Sequence, residues 1–200
     1  MDGSLPGLAE PGSPKNSVAG YRRWLIVGGS GGGKSTLARE MSELLGLPIV
    51  HLDPHFWSPG WVEPDRREWN RKVAQLSSED AWIMDGNYGG SIDRRLPRAE
   101  AAVLLDPPVW QCLWGVFKRS IRHRGKTRPD LAEGCEEHLP DWGFLRYVLT
   151  YKWRSRPKVL RKIAAQPHVK LYHLKSRRAA RRFMNELRDA VNVGTARKGP

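Results

Sequence analysis

Short apolar runs alternate along the chain with longer segments whose apolar positions recur every three or four residues. The first run, Tyr21-Arg22-Arg23-Trp24-Leu25-Ile26-Val27, has the character of a strand buried on both faces, and residues 35–45 follow with helical spacing closed by Gly46. Pro48-Ile49-Val50-His51-Leu52 predicts a second strand ending at Asp53, followed by a loop rich in Pro, Gly and Trp from Pro54 to Pro64. Asp65 and Glu68 form a capping-box pair before a helix from about Arg66 to Leu76. Ala81-Trp82-Ile83-Met84 predicts a third strand ending at Asp85-Gly86, and Ser91 caps a short helix through Leu96. Ala101 to Leu105 predicts a fourth strand, ending at Asp106-Pro107-Pro108, and a helix follows from about Val109 to His123. Beyond a polar, poorly periodic stretch, Asp141 caps a helix to about Tyr151 or further, with a restart at Pro157. His168 to Leu174 is a fifth strand, and Ser176 caps a last helix to about Val191.

Strands that alternate with helices imply a parallel sheet covered on both faces, an α/β architecture. Ligands of such sheets bind beyond the carboxyl ends of the strands. The Gly28 loop, Asp53, Asp85 and Asp106 all fall at strand ends, so one edge collects a glycine loop and up to three carboxylates.

The loop itself reads Gly28-Gly29-Ser30-Gly31-Gly32-Gly33-Lys34-Ser35-Thr36 and fits the phosphate-binding pattern G-x-x-x-x-G-K-[ST]. Backbone N–H groups can wrap the phosphates of a nucleoside triphosphate only where side chains are absent, hence the glycines. Lys34 adds a point charge at the β/γ-phosphates, the Ser35 hydroxyl suits Mg²⁺, and the following helix turns its positive end toward the phosphates. The strand before and the helix after are the context that the motif requires.

Asp85, at the end of an apolar run, suits direct or water-mediated Mg²⁺ binding, or caps the next turn. Asp53 suits a general base that takes the proton of an acceptor hydroxyl, a holder of metal-bound water, or a turn cap. Asp106, before two prolines, reads as a turn former. Phosphoryl transfer needs cations around the γ-phosphate, and the segment from Lys118 to Arg128 is dense in them. Arg119 and Arg122 lie three apart on one helical face and are the expected phosphate-binding pair; the alternative is a basic helix end that complements the helix dipole. Beyond them, residues 124–140 have the composition of a lid, with Gly125 and Gly134 as hinges and Arg124 and Arg128 as further contacts. Trp57, Trp61, Trp110, Trp114, Trp142 and Trp153 offer stacking surfaces or packing residues. Among the histidines, His55 falls nearest the expected site.

Composition narrows the rest. Residues 1–20, rich in Gly, Pro and Ser, predict a disordered tail; 21–191 predict one domain with its lid at about 124–140; and 192–200 predict a frayed end. No apolar run is long enough for a membrane span, so no membrane partner is expected. Two cysteines, Cys112 and Cys135, with no metal-type spacing, fit a cytoplasmic protein with reduced thiols. The net charge of +13 is lopsided: −2 over residues 1–117 and +15 over 118–200. That excess suits phosphates of a small substrate, nucleic acid, or a solvated surface.

These features together resemble the adenylate-kinase-like nucleoside and nucleotide kinases. More closely, His51-Leu52-Asp53, Phe56-Trp57, Pro59-Gly60-Trp61 and Trp82-Ile83-Met84-Asp85-Gly86-Asn87-Tyr88 are similar to the bacterial topology modulation protein family, a branch of those kinases. Cys112-Leu113-Trp114, the string Arg124 to Asp130, the string Asp141 to Tyr147 and the string Arg154 to Leu160 continue the likeness over about residues 21–185. The resemblance implies a three-layer P-loop fold with five parallel strands in the order 2-3-1-4-5. It also implies ATP and Mg²⁺ on Lys34, Ser35 and Thr36, an acidic residue at Asp85, the first lid arginine at Arg119, and transfer of the γ-phosphate to a small acceptor such as a nucleoside or nucleotide. Adenylate kinases carry Asp-Gly-Phe-Pro-Arg where this chain has Asp85-Gly86-Asn87-Tyr88-Gly89, so their phosphate-binding arginine is missing unless Arg94 or Arg95 replaces it. Asp53 instead resembles the acceptor-side Asp of kinases that phosphorylate alcohols. The competing reading, drawn from the basic C-terminal part and the family name, is an ATP-dependent DNA-binding protein that modulates DNA topology.

Overall fold

The computed structural model describes residues 18–127 and 131–196, with side chains to 193. Five strands form one parallel sheet: β1 (Arg23–Gly28), β2 (Ile49–His51), β3 (Trp82–Asp85), β4 (Ala101–Leu105) and β5 (Lys170–Leu174). Their order is β2-β3-β1-β4-β5, as expected. Arg23 to Ile26 pair with Trp82 to Asp85, and Trp24 to Gly28 pair with Ala101 to Leu105. This register brings Gly28 and Asp85 to the same edge.

The alternation along β1 feeds two cores. Leu25 and Val27 join Trp69 and Val73 of α3 (Arg66–Ser78), Ile92 of α4 (Ile92–Arg95), and Val159 and Ile163 of α7 (Arg156–Ala164). Trp24 and Ile26 join Leu37, Ala38 and Met41 of α1 (Lys34–Leu45) and Phe183, Met184 and Leu187 of α8 (Arg177–Ala196). Burial on both faces explains why β1 and β4 lack polar alternation. A third, smaller cluster joins Cys112 and Val116 of α5 (Val109–His123) to Val148 of α6 (Trp142–Arg154).

Helix starts at Asp65, Asp141 and Ser176 follow the capping residues, whereas Ser91 does not cap α4 because its Oγ donates to Tyr88 C=O at 3.1 Å. Asp65 accepts from the backbone N–H groups of Arg67 and Glu68 at 2.8 and 3.1 Å, and Asp141 accepts from Phe144 N–H at 2.7 Å. α1 differs: Gly33 precedes it with φ 97° and no side-chain cap, which leaves its first N–H groups facing the loop.

One expectation changes. β2 ends at His51, and Asp53–Phe56 form a short helix, α2, with Pro54 near its start. Proline is pre-organised for a first helical turn, so the chain turns there rather than continuing as strand or loop. Asp53 therefore sits in a helical turn beyond β2. Among the described residues no helix is long and apolar enough to cross a membrane.

α5 lies against the glycine loop backbone to backbone. A Cβ at Gly31 would strike the carbonyl of Cys112, and one at Gly115 would strike the carbonyl of Gly31. Gly115→Ala should therefore push α5 off the loop and cost about 1–3 kcal/mol. Gly90→Ala, where an added Cβ meets nothing within 4 Å, should change stability by less than about 0.5 kcal/mol. Urea unfolding compares the two; equal midpoints would contradict the close approach.

Candidate active site at the carboxyl edge of the sheet

Gly28, Gly31 and Gly33 all have positive φ, at 149°, 75° and 97°. A Cβ at Gly28 would collide with the backbone of Leu105, so the loop leaves β1 pressed against β4. Asn87 fixes that departure from the other side. Its Oδ1 accepts from Gly28 N–H at 2.8 Å, and its Nδ2 donates to Gly28 C=O at 2.6 Å. The same Nδ2 reaches the hydroxyl of Tyr147 on α6 at 3.2 Å. Lys34 folds back to donate to Gly29 C=O at 3.2 Å.

Asp85 is buried at the end of β3, beside the loop. His51 Nδ1 lies 3.1 Å from its Oδ2. Burial raises the Asp85 pKa, but the His51 hydrogen bond, the Lys34 charge and the nearby Ser35 hydroxyl together hold it below the usual carboxylate value. Its Oδ1 is buried with no hydrogen-bond partner among the described residues. An ionised carboxylate with an unpartnered oxygen, next to the Ser35 hydroxyl, is a donor set that suits a hard cation. Among the described residues no cluster of three or more His, Cys, Asp or Glu side chains forms a metal cage; Mg²⁺ needs only one or two protein ligands when phosphates and water complete its shell.

Asp53 stands across this space and accepts from the Tyr88 hydroxyl at 2.7 Å through Oδ1. Burial and then the Asp53 charge drive the Tyr88 pKa far upward, so the phenol stays protonated and remains the donor. Phe56 packs on Tyr88, Trp57 and Trp69 at centroid distances of 4.5, 4.9 and 4.9 Å, and Trp57 packs on Trp61 at 5.4 Å. The expected stacking residues thus divide. Trp57 and Trp61 form a half-buried wall beside Asp53, whereas Trp110, Trp114, Trp142 and Trp153 are exposed.

Of the expected arginines, one has a carboxylate partner. Arg119 Nε donates to Glu137 Oε1 at 3.0 Å, and Ser120 Oγ donates to the same oxygen at 3.1 Å, so in this structure Arg119 is paired with a carboxylate of the 124–140 segment. Arg122 and Arg124 are exposed; Arg128 lies outside the described residues. Arg95 cannot replace the missing phosphate-binding arginine. It is fully buried and donates to the carbonyls of Gly86 and Asn87 at 2.9 and 2.6 Å, bracing the turn after β3. Burial lowers its pKa to about 10, so it remains a cation at neutral pH. Arg94 is exposed. His55 is exposed as well, and His51 is the histidine at the site. The described part of the 124–140 segment is tied to the 58–62 turn: Gly60 N–H donates to Gly134 C=O at 3.0 Å, Trp61 Nε1 to Glu136 C=O at 3.0 Å, and Cys135 Sγ to Ser58 C=O at 3.3 Å.

Asp106, expected to shape a turn, has a larger part. Arg156 donates to its Oδ2 at 2.6 Å, and His173 Nε2 lies 3.0 Å from the same oxygen, which links β4, α7 and β5. It lines a cavity of about 290 Å³ with Pro108, Lys152, Arg156 and Lys175. Nothing local in the sequence marks Asn87, His51 or Asp106 for these contacts, because their partners lie 34 to 67 residues away.

No family model and no curated protein sequence matches the chain. Solved structures do. A shikimate kinase from Acinetobacter baumannii in complex with shikimate superposes with a TM-score of 0.54 at 18% identity, covering 90% of this chain and 98% of that one. An unliganded sugar kinase from Janibacter sp. HTCC2649 gives 0.50 at 16%, covering 88% and 96%. The chain therefore has the fold of the small P-loop kinases.

Burial raises the Asp106 pKa, while the hydrogen bonds from His173 and Arg156 pull it lower still, to a net value below 3.8. A depressed folded-state pKa stabilises the fold fully above that unfolded value, and the contribution is lost as pH falls through the folded value. Asp106→Asn should lower stability at neutral pH and flatten the acid loss below about pH 4. Urea midpoints measured across that range check this; an unaltered acid limb would contradict it.

Proposed function

We propose that the chain is an ATP-dependent phosphotransferase that moves the γ-phosphate to a hydroxyl of a small acceptor. The buried, unpartnered Oδ1 of Asp85 beside Ser35 and Lys34 carries this reading, because it supplies a cation position at the mouth of a phosphate loop. The backbone N–H groups of Gly29 to Gly33, Ser30 among them, hold the phosphates, with Thr36 following in the first turn of α1. Lys34 leaves the Gly29 carbonyl to meet the β/γ-oxygens. Ser35 and Asp85 would hold Mg²⁺, which would neutralise the charge that spreads over the phosphoryl oxygens. His51 keeps Asp85 ionised and oriented.

Asp53, held by Tyr88, takes the proton of the acceptor hydroxyl. The burial of Arg95 on backbone carbonyls removes one of the two arginines that could meet an acceptor phosphate, which supports a hydroxyl acceptor. Nucleosides and other small alcohols fit better. Arg119 and Arg122 complete the charge when the 124–140 lid moves and Arg119 exchanges Glu137 for the phosphoryl group. The strings about Asp85 and Trp142 support membership of the topology modulation branch.

Two variants test the assignment together. Lys34→Ala should abolish ATP binding in calorimetry, and Asp53→Asn should bind ATP normally yet lose about 10²–10⁴ in kcat with the true acceptor. ATP binding retained by the first, or turnover retained by the second, would overturn the corresponding role.

A further inference from the structure

α5 carries Trp110, Trp114, Phe117 and Ile121 at i, i+4, i+7 and i+11, which places all four on one helical face. The opposite side holds Cys112 and Val116, buried against the loop and α6. α6 repeats the spacing with Trp142, Arg146, Leu149 and Trp153. The four tryptophans are 61% to 73% exposed and Ile121 is 70% exposed. Large apolar side chains scattered singly are ordinary on a surface, but here they recur at helical spacing on two helices that pack on each other through Cys112, Val116 and Val148.

The charge on the two helices themselves is of one sign, while the connection between them exposes Glu133, Glu136 and Asp141. No Asp or Glu occurs from Pro107 to Pro129 or from Trp142 to Asn185. Lys118, Arg122, Arg124 and Lys126 on or beyond α5, and Arg146 and Arg154 on α6, are all exposed. We infer that the α5/α6 face is a peripheral docking surface for an anionic lipid bilayer. Indole rings favour the headgroup boundary, Phe117, Ile121 and Leu149 enter the acyl edge, and the cations meet lipid phosphates.

Charge complementarity separates this occupant from the others. A second copy would press Lys118 and Arg146 against equally basic helices. Single-stranded nucleic acid would satisfy the cations and stack on the indoles, but Ile121 and Leu149 have no ring to offer a base. Residues 1–17 contain few large apolar side chains with which to cover the stripes. The absence of a spanning segment is no obstacle, since a surface contact needs none. The inference is independent of the phosphotransferase reading.

Vesicle flotation of the full chain is the test. It should bind phosphatidylcholine vesicles containing about one-third phosphatidylglycerol, less at high salt, and should not bind phosphatidylcholine alone. Trp114→Ala/Ile121→Ala and Lys118→Gln/Arg146→Gln should each weaken binding roughly tenfold, and Trp153→Ala on α6 should weaken it independently. Arg178→Gln/Arg182→Gln, which removes exposed charge from α8, should leave binding intact. Circular dichroism confirms that each variant is folded. No flotation with anionic vesicles, or equal flotation by the folded Trp114/Ile121 variant, would overturn the inference. So would self-association, or capture of a single-stranded oligonucleotide in preference to vesicles, if lost in those same variants.

Discussion

How closely the backbone of the 28–33 loop approaches its neighbours decides where everything else at the sheet edge can stand. Gly28 leaves β1 against the backbone of Leu105, and Gly31 lies under the Cys112 carbonyl, with Gly115 against the Gly31 carbonyl. No residue with a side chain fits at those contacts. The loop is thus wedged between β4 and α5, and Asn87 closes the third side with both amide groups on Gly28. A loop held this way keeps its N–H groups aimed without reorganisation, which is where a phosphate site gains most.

The turn after β3 is the second fixed body. Arg95 places a buried guanidinium beneath the Gly86 and Asn87 carbonyls, and that turn presents Asp85, Asn87 and Tyr88 in succession. Asn87 holds the loop and Tyr88 holds Asp53, and in the proposed reaction Asp85 would serve the cation and Asp53 the acceptor. One buried cation therefore positions groups on both sides of the proposed transfer. Facing it, the 58–62 turn and the 134–136 stretch are bonded to each other, and Glu137 holds Arg119. In the proposed reaction, a movement of the 134–137 stretch that frees Arg119 would also strain the hydrogen bond from Trp61 to Glu136 C=O.

The strands and the phosphate loop were legible in the sequence because each is a local pattern: continuous apolar runs for strands buried on both faces, and glycines at fixed spacing. Asp53 and Asp85 were legible as residues that follow such runs. What escaped was long-range. Arg95 looks like any arginine at the end of a short helix until its carbonyl partners are seen, and His51 cannot be told from His55 without the position of β3. Asp106 reads as a turn former beside two prolines, yet Arg156 and His173 converge on it from α7 and β5. Arg119 was expected at the phosphates because it stands in an arginine-dense helix end and resembles a lid arginine, and nothing local in the sequence reveals its pairing with Glu137.

The central claim is that this edge transfers a phosphoryl group to an alcohol. The most direct measurement is ³¹P NMR of the products formed from ATP, Mg²⁺ and a panel of nucleosides, nucleotides and small polyols. A new phosphate monoester resonance that appears with ADP, and only when a hydroxyl acceptor is present, is the predicted result. Formation of a phosphoanhydride on a nucleotide, or release of inorganic phosphate alone with every acceptor, would contradict it.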